Sequence, residues 1–332
     1  MRKPKLHNRI GRSVATLPVC SLMAVCLWWL PQQAYSHAYA VSLALVALTA
    51  YVILETNNTN QLIRTRSRMM ASVWVFGAAC FGALHPFHPI ILATFCLAVS
   101  YYLLFRAYQK TQPVVDTFHT FVVLSLGGVV YPPMLLFAPF YLWYLIVFMR
   151  AISFRSFLAA LIGLLLPFWF WTGYLLWMED LTPLVEWSGA FNVLRIENLR
   201  EMLLHLQASL LAFQPMDINV DWLISNAPYL LLVVLTIWTS VYYLSNSYDD
   251  KIRTRMMLYI YVFQSVLIIL MTSLFDSCDL LPLLLLSCSP LIAHYFTLRN
   301  TWVSLIVFIL TLMAFAAVAV ITLWPESLNY MR

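Results

Sequence analysis

Residues 301–324 read TWVSLIVFILTLMAFAAVAVITLW, twenty-four positions without one charged side chain. Crossing a hydrocarbon core of about 30 Å takes about 20 helical residues, and the backbone must satisfy its own polar groups there. The run is continuous rather than alternating, so it reads as a transmembrane helix and not as a barrel strand. Working outward, comparable runs occur near 14–30, 38–54, 69–84, 89–105, 114–131, 133–149, 156–177, 226–245, 256–275 and 280–297. The expected fold is therefore an all-α polytopic bundle of about eleven spans, nine at the least, forming a single membrane domain over residues 1–332. Composition agrees: 62% of residues are apolar and 10% charged, against about 25% charged in a soluble protein.

Basic residues beside a span resist translocation and stay on the cytoplasmic side. With the N-terminus inside, the inner breaks collect Arg64, Arg66, Arg68, Arg106, Lys110, Arg150, Arg155, Lys251, Arg253, Arg255 and Arg299. Together with Arg2, Lys3, Lys5, Arg9 and Arg12 these are 16 of the 19 basic residues. Ten of the 14 acids fall on the opposite side, among them Glu179, Asp180, Glu186, Asp276 and Asp279. The C-terminus is then outside, and the expected location is the cell inner (cytoplasmic) membrane. The first span resembles a secretory signal in its basic flank, but no small-residue cleavage site precedes Pro31, so it reads as an uncleaved anchor.

Two segments carry particular expectations. Tyr131-Pro132-Pro133 interrupts the run from Val114 to Met149, which leaves open a tight hairpin between two full crossings or a pair of re-entrant half-helices. The sizeable polar portion is the outer loop 178–225. Within it Leu199, Leu203, Leu206, Leu210 and Phe213 share one helical face, predicting an interfacial amphipathic helix near 196–213. Such a helix either roofs a cavity or simply packs on the bundle.

Span centres contain essentially no ionisable groups; His119 and His294 lie towards inner ends, and Gln264 is the prominent midspan amide. That argues against an ion-driven transporter. Polar groups gather on the outer side instead. Glu179 and Asp180 follow the aromatic run Phe168 to Trp171 and Trp177, where a partly desolvated carboxylate would serve as a general base on a sugar or lipid-phosphate substrate. His85, His88, Trp171, Trp177, Asp276 and Asp279 are the candidate substrate-binding residues around it. The same residues also fit an ordinary acidic outer edge with an aromatic belt. The proline-interrupted spacing of His85 and His88 gives no metal signature, and no cofactor is expected.

Walker, His-Glu-x-x-His and dinucleotide motifs are absent, and six scattered cysteines lack C-x-x-C spacing. Asn57-Asn58-Thr59 matches a glycosylation acceptor but falls on the inner side. The basic patches are explained by orientation and contact with anionic headgroups, without nucleic acid.

The block Gly127-Gly128 to Tyr131-Pro132-Pro133, the span ending at Arg150, and Ser153 to Gly163 and Pro167 resemble a family of multi-span inner-membrane proteins from Bacteroidetes, best over about residues 100–175. That family has no settled biochemical role. More distantly, the rhythm of spans is similar to membrane glycosyltransferases that use polyprenyl-phosphate sugars. That resemblance implies a polyprenyl-phosphate lipid as partner and a catalytic acid in the first outer loop. Residues 31–37 hold no acid, so Glu179 or Asp180 would have to replace it. Three functions follow as expectations: a membrane enzyme acting on lipid-linked substrate through a Trp- and Tyr-lined groove; a non-catalytic component of an envelope or secretion assembly that contacts other membrane proteins; and a transporter. The last predicts internal repeats, and none is visible.

Overall fold

The computed structural model describes residues 5–29, 37–65, 67–189, 191, 220–275 and 280–323. These are helical, with no strand among them, and seven helices are long and apolar enough to cross a membrane. The expected helix near 196–213, with Asp276, Asp279 and His205, lies outside the described residues.

The chain begins with a short helix, α1 (Leu6–Arg12), that meets α2 (Thr16–Trp29) at a bend of 89°. Next come α3 (His37–Asn60), α4 (Met69–Cys80), α5 (Pro89–Arg106) and α6 (Val114–Val130). A 3-10 turn over Pro132–Leu136 leads into α7 (Phe137–Val147), followed by α8 (Phe154–Trp177) and α9 (Thr182–Gly189). The remaining helices are α10 (Val220–Asn246), α11 (Ile252–Phe275), α12 (Leu281–Leu298) and α13 (Trp302–Leu323).

Alternate breaks are tied together at one end of the bundle. Ser67 Oγ donates to Gly11 O, Lys5 N to Asn300 Oδ1 at 3.3 Å, and Arg253 Nη2 to Asn60 Oδ1 at 2.8 Å. Gln109 N donates to Met149 O at 2.9 Å, and the Arg253 guanidinium lies 5.8 Å from the Tyr108 ring. This is the end where the basic residues sit, and we call it the basic end. The intervening breaks meet at the other end: Trp28 stacks on His85, Ser42 Oγ donates to Leu84 O at 2.7 Å, and Gly82 N donates to Thr322 Oγ1 at 3.3 Å.

The centre of the bundle is α12, in which every residue from Leu281 to Thr297 is buried. Its leucines suit a helix surrounded by protein, and it packs on α1, α4, α5, α10, α11 and α13. Pro290 has no N–H to give to Leu286 O, four residues back, and Ser289 Oγ donates to that carbonyl at 3.0 Å. At the helix C-terminus, Asn8 Nδ2 bonds Phe296 O at 3.2 Å and Thr297 O at 3.1 Å, carbonyls that the helix itself leaves without partners. The face of α1 carrying His7, Asn8 and Gly11 is thus spent on capping α12, while Arg9 and Arg12 face outward.

The reversal at Tyr131 is covered rather than free. Pro133, Met134 and Phe137 are buried, and Trp187 on α9 donates to Gly128 O at 2.9 Å. A Cβ on Gly127 would collide with Met134 and stand 3.1 Å from Cys96 Cβ, seven residues along α5 from Pro89, or about 10 Å of helix. The hairpin α6–α7 turns back beneath α9.

Candidate functional site

Glu179 and Asp180 lie at the end of α8, away from the basic end, and both are exposed. Glu179 takes a left-handed backbone, φ 55°, where the chain leaves the helix. Asp180 Oδ1 accepts from the Thr182 side chain and from Thr182 N at 3.0 Å, forming the turn that leads into α9. Those hydrogen bonds, the side-chain one foremost, hold its carboxyl below the usual range, which makes it a weaker base. Trp177 is 84% exposed and, with Trp169 and Phe170, points outward as an interfacial anchor does. Trp171 packs edge-on against Trp187 at 5.9 Å, beside Phe168 and Phe191, closing α9 over the α6–α7 hairpin.

The two histidines part company. His88 is exposed at the start of α5. His85 is buried, stacked on Trp28 at 4.0 Å, with Nε2 3.1 Å from Ala79 O. Burial lowers its pKa to about 4, so the ring is neutral at physiological pH. It joins the α4–α5 turn to α2 and has no contact with Glu179 or Asp180 among the described residues. No group of three His, Cys, Asp or Glu suited to a metal occurs among the described residues.

Sequence reasoning passed over a buried charge cluster at the basic end. Asp250, in the turn between α10 and α11, accepts from Arg64 Nε at 2.8 Å and from His294 Nε2 at 2.9 Å. Burial pushes the Asp250 carboxyl up, but the His294 hydrogen bond and charge together with Arg64 outweigh it, and its pKa ends below the usual value. Tyr243 lies edge-on to the His294 ring at 5.0 Å. The cluster joins the α3–α4 break, the α10–α11 turn and α12, which is the placement of a structural tie. The signal was available: Glu55, Asp116, Asp249 and Asp250 are the four acids on the side where the cations collect. Asp116 likewise meets Lys110 at 2.5 Å and Arg106 at 3.6 Å.

A substantial cavity among the described residues lies elsewhere. A groove of about 580 Å³ opens sideways between α2, α4, α12 and α13, with the bend from α1 to α2 at its basic-end margin. Met23, Met69, Phe76, Phe308, Leu312 and Phe315 are among its walls. Its hydroxyls are occupied within their own segments: Thr16 Oγ1 donates to Ser13 O at 2.7 Å, Ser72 Oγ to Arg68 O at 3.0 Å, and Thr311 Oγ1 to Val307 O at 2.7 Å. Ser13 Oγ accepts from Ala15 N at 3.1 Å. The groove therefore presents a largely apolar surface whose threonine hydroxyls and Ser72 donate within their own helices or turns.

The chain matches no family model and no curated protein.

Proposed function

We propose that this protein is an integral membrane protein that holds a lipid chain against its flank, with its basic end in the cytoplasm and its location the cell inner membrane. The observation that carries this reading is the lateral groove between α2, α4, α12 and α13, which is apolar along its walls and open to the side where lipid would lie. Sidedness rests on the gathering of Lys and Arg at one end. The exposed Trp169 and Trp177 on α8 and Trp302 on α13, the last with Lys5 Nζ 3.9 Å from its ring, fit aromatic belts at the two surfaces.

The test is native mass spectrometry of the full chain released from mild detergent. Bound lipid is expected on the wild type and its loss on Val19→Trp, which places a large ring in the groove from a position already 52% exposed. A wild type free of lipid would end the reading.

Transfer of a sugar from a polyprenyl-phosphate donor at the outer face is the competing enzymatic reading, with Glu179 or Asp180 as base and His88, Trp171, Trp177, Asp276 and Asp279 around the substrate. Its supports are the carboxylates at the end of α8 and the nearby aromatic residues. Transfer activity lost in Glu179→Gln with Asp180→Asn would favour it, and activity fully retained would remove it. As a non-catalytic component, the protein would also meet other membrane proteins through its apolar flanks.

A further inference from the structure

We infer that the groove selects an anionic phospholipid of the basic-side leaflet, its phosphate met by Arg12 and Arg68 with Arg9 beside them. This rests on the lipid-holding reading above and adds the headgroup. Three observations converge on it. The α1–α2 bend lays α1 across the basic end at the margin of the groove, with Ile10 and Ser13 in the lining and Arg9 and Arg12 outward. The Ser67–Gly11 hydrogen bond then brings the α3–α4 break against the last turn of α1, so Arg12 and Arg68 each adjoin one of the bonded residues. Finally, Arg9, Arg12 and Arg68 are exposed and make no ion pair with an acid among the described residues, whereas Arg64 and Arg106 at the same end do.

An apolar slot whose basic-end margin, at Ile10 and Ser13, is flanked in sequence by arginines without an acid partner among the described residues matches an acyl chain joined to a phosphate. A second transmembrane helix fits less well. Close helix docking in lipid uses glycine and other small residues, and here the small residues Ser13, Ala15, Thr16, Ser72 and Thr311 are interspersed with the bulky rings of Phe76, Phe296, Phe308 and Phe315, with no glycine in the walls. The guanidinium forks would have no partner in such a docking.

The test reconstitutes the full chain into vesicles of equimolar phosphatidylcholine and phosphatidylglycerol, extracts it gently and reads retained lipid by native mass spectrometry. Phosphatidylglycerol is expected in excess on the wild type. Arg12→Gln and Arg68→Gln should each lower that excess about fivefold while total lipid is kept. Arg155→Gln, an exposed cation at the start of α8, should leave it unchanged. Retained lipid without headgroup preference overturns the inference and spares the lipid-holding reading; no retained lipid overturns both. A dimer cross-linked through Val19→Cys in place of bound lipid overturns both in favour of a second copy.

Discussion

His85 stands between the polar turn it belongs to and the apolar ring of Trp28 it is stacked on. Its folded pKa of about 4 lies below the ordinary 6.5, so between those values the unfolded chain takes up a proton that the folded one refuses. Stability is therefore full above pH 6.5 and falls as pH drops towards 4, by about 3 kcal/mol. Thermal unfolding at pH 7 and pH 5 should show this slope in the wild type and a flatter one in His85→Phe; equal slopes would refute the assignment. Asp250 has the same sign in a lower window, its contribution present at neutral pH and lost only in acid below the ordinary carboxylate value of 3.8. Replacing it by Asn leaves His294 and half-exposed Arg64 without their charge partner, and should cost about 1–3 kcal/mol by the same melting measurement. The pairing was hidden in the sequence because Asp250 and His294 are 44 residues apart and an Asp in a short turn reads as solvated. Glu179 and Asp180 were legible as lying away from the cations, but nothing local to them discloses whether distant groups converge on them.

At the scale of elements, α6 and α8 run side by side through a seam set by Gly163, where an added Cβ would lie 2.6 Å from Phe118 O. A backbone carbonyl cannot swing aside as a side chain can, so Gly163→Ala should part the helices and cost about 1–3 kcal/mol. Gly173, on the same helix, has nothing within 4 Å of such an atom. Gly173→Ala should leave melting unchanged or raise stability by up to about 1 kcal/mol. Equal losses in the two variants would contradict the seam. The long apolar helices α3, α5, α8, α10, α11, α12 and α13 were legible because length and hydropathy identify a span without knowledge of its neighbours. The shorter ones were blurred at their ends. The run 69–84 stops being α-helical at Cys80, where Phe81 extends and Gly82–Leu84 tightens into a 3-10 turn, and Pro132–Leu136 does the same before α7. Likewise α1 reads locally as basic flanking sequence, since its role in capping α12 depends on residues almost 290 positions away.

On the scale of the whole molecule, charge and connectivity agree. The breaks that carry most of the cations are those hydrogen-bonded to one another at one end, and α8, at 24 residues, spans about 36 Å from Arg155 to the acids beyond Trp177. The groove opens near the basic end, so the proposed lipid site and the orientation stand together. Single cysteines at Arg155 and Glu179, in a chain otherwise cleared of cysteine, test this most directly with a membrane-impermeant maleimide applied to sealed right-side-out and inverted vesicles. The account predicts that Arg155→Cys labels only from the cytoplasmic face and Glu179→Cys only from the outer face. Labelling of both from one face would contradict it.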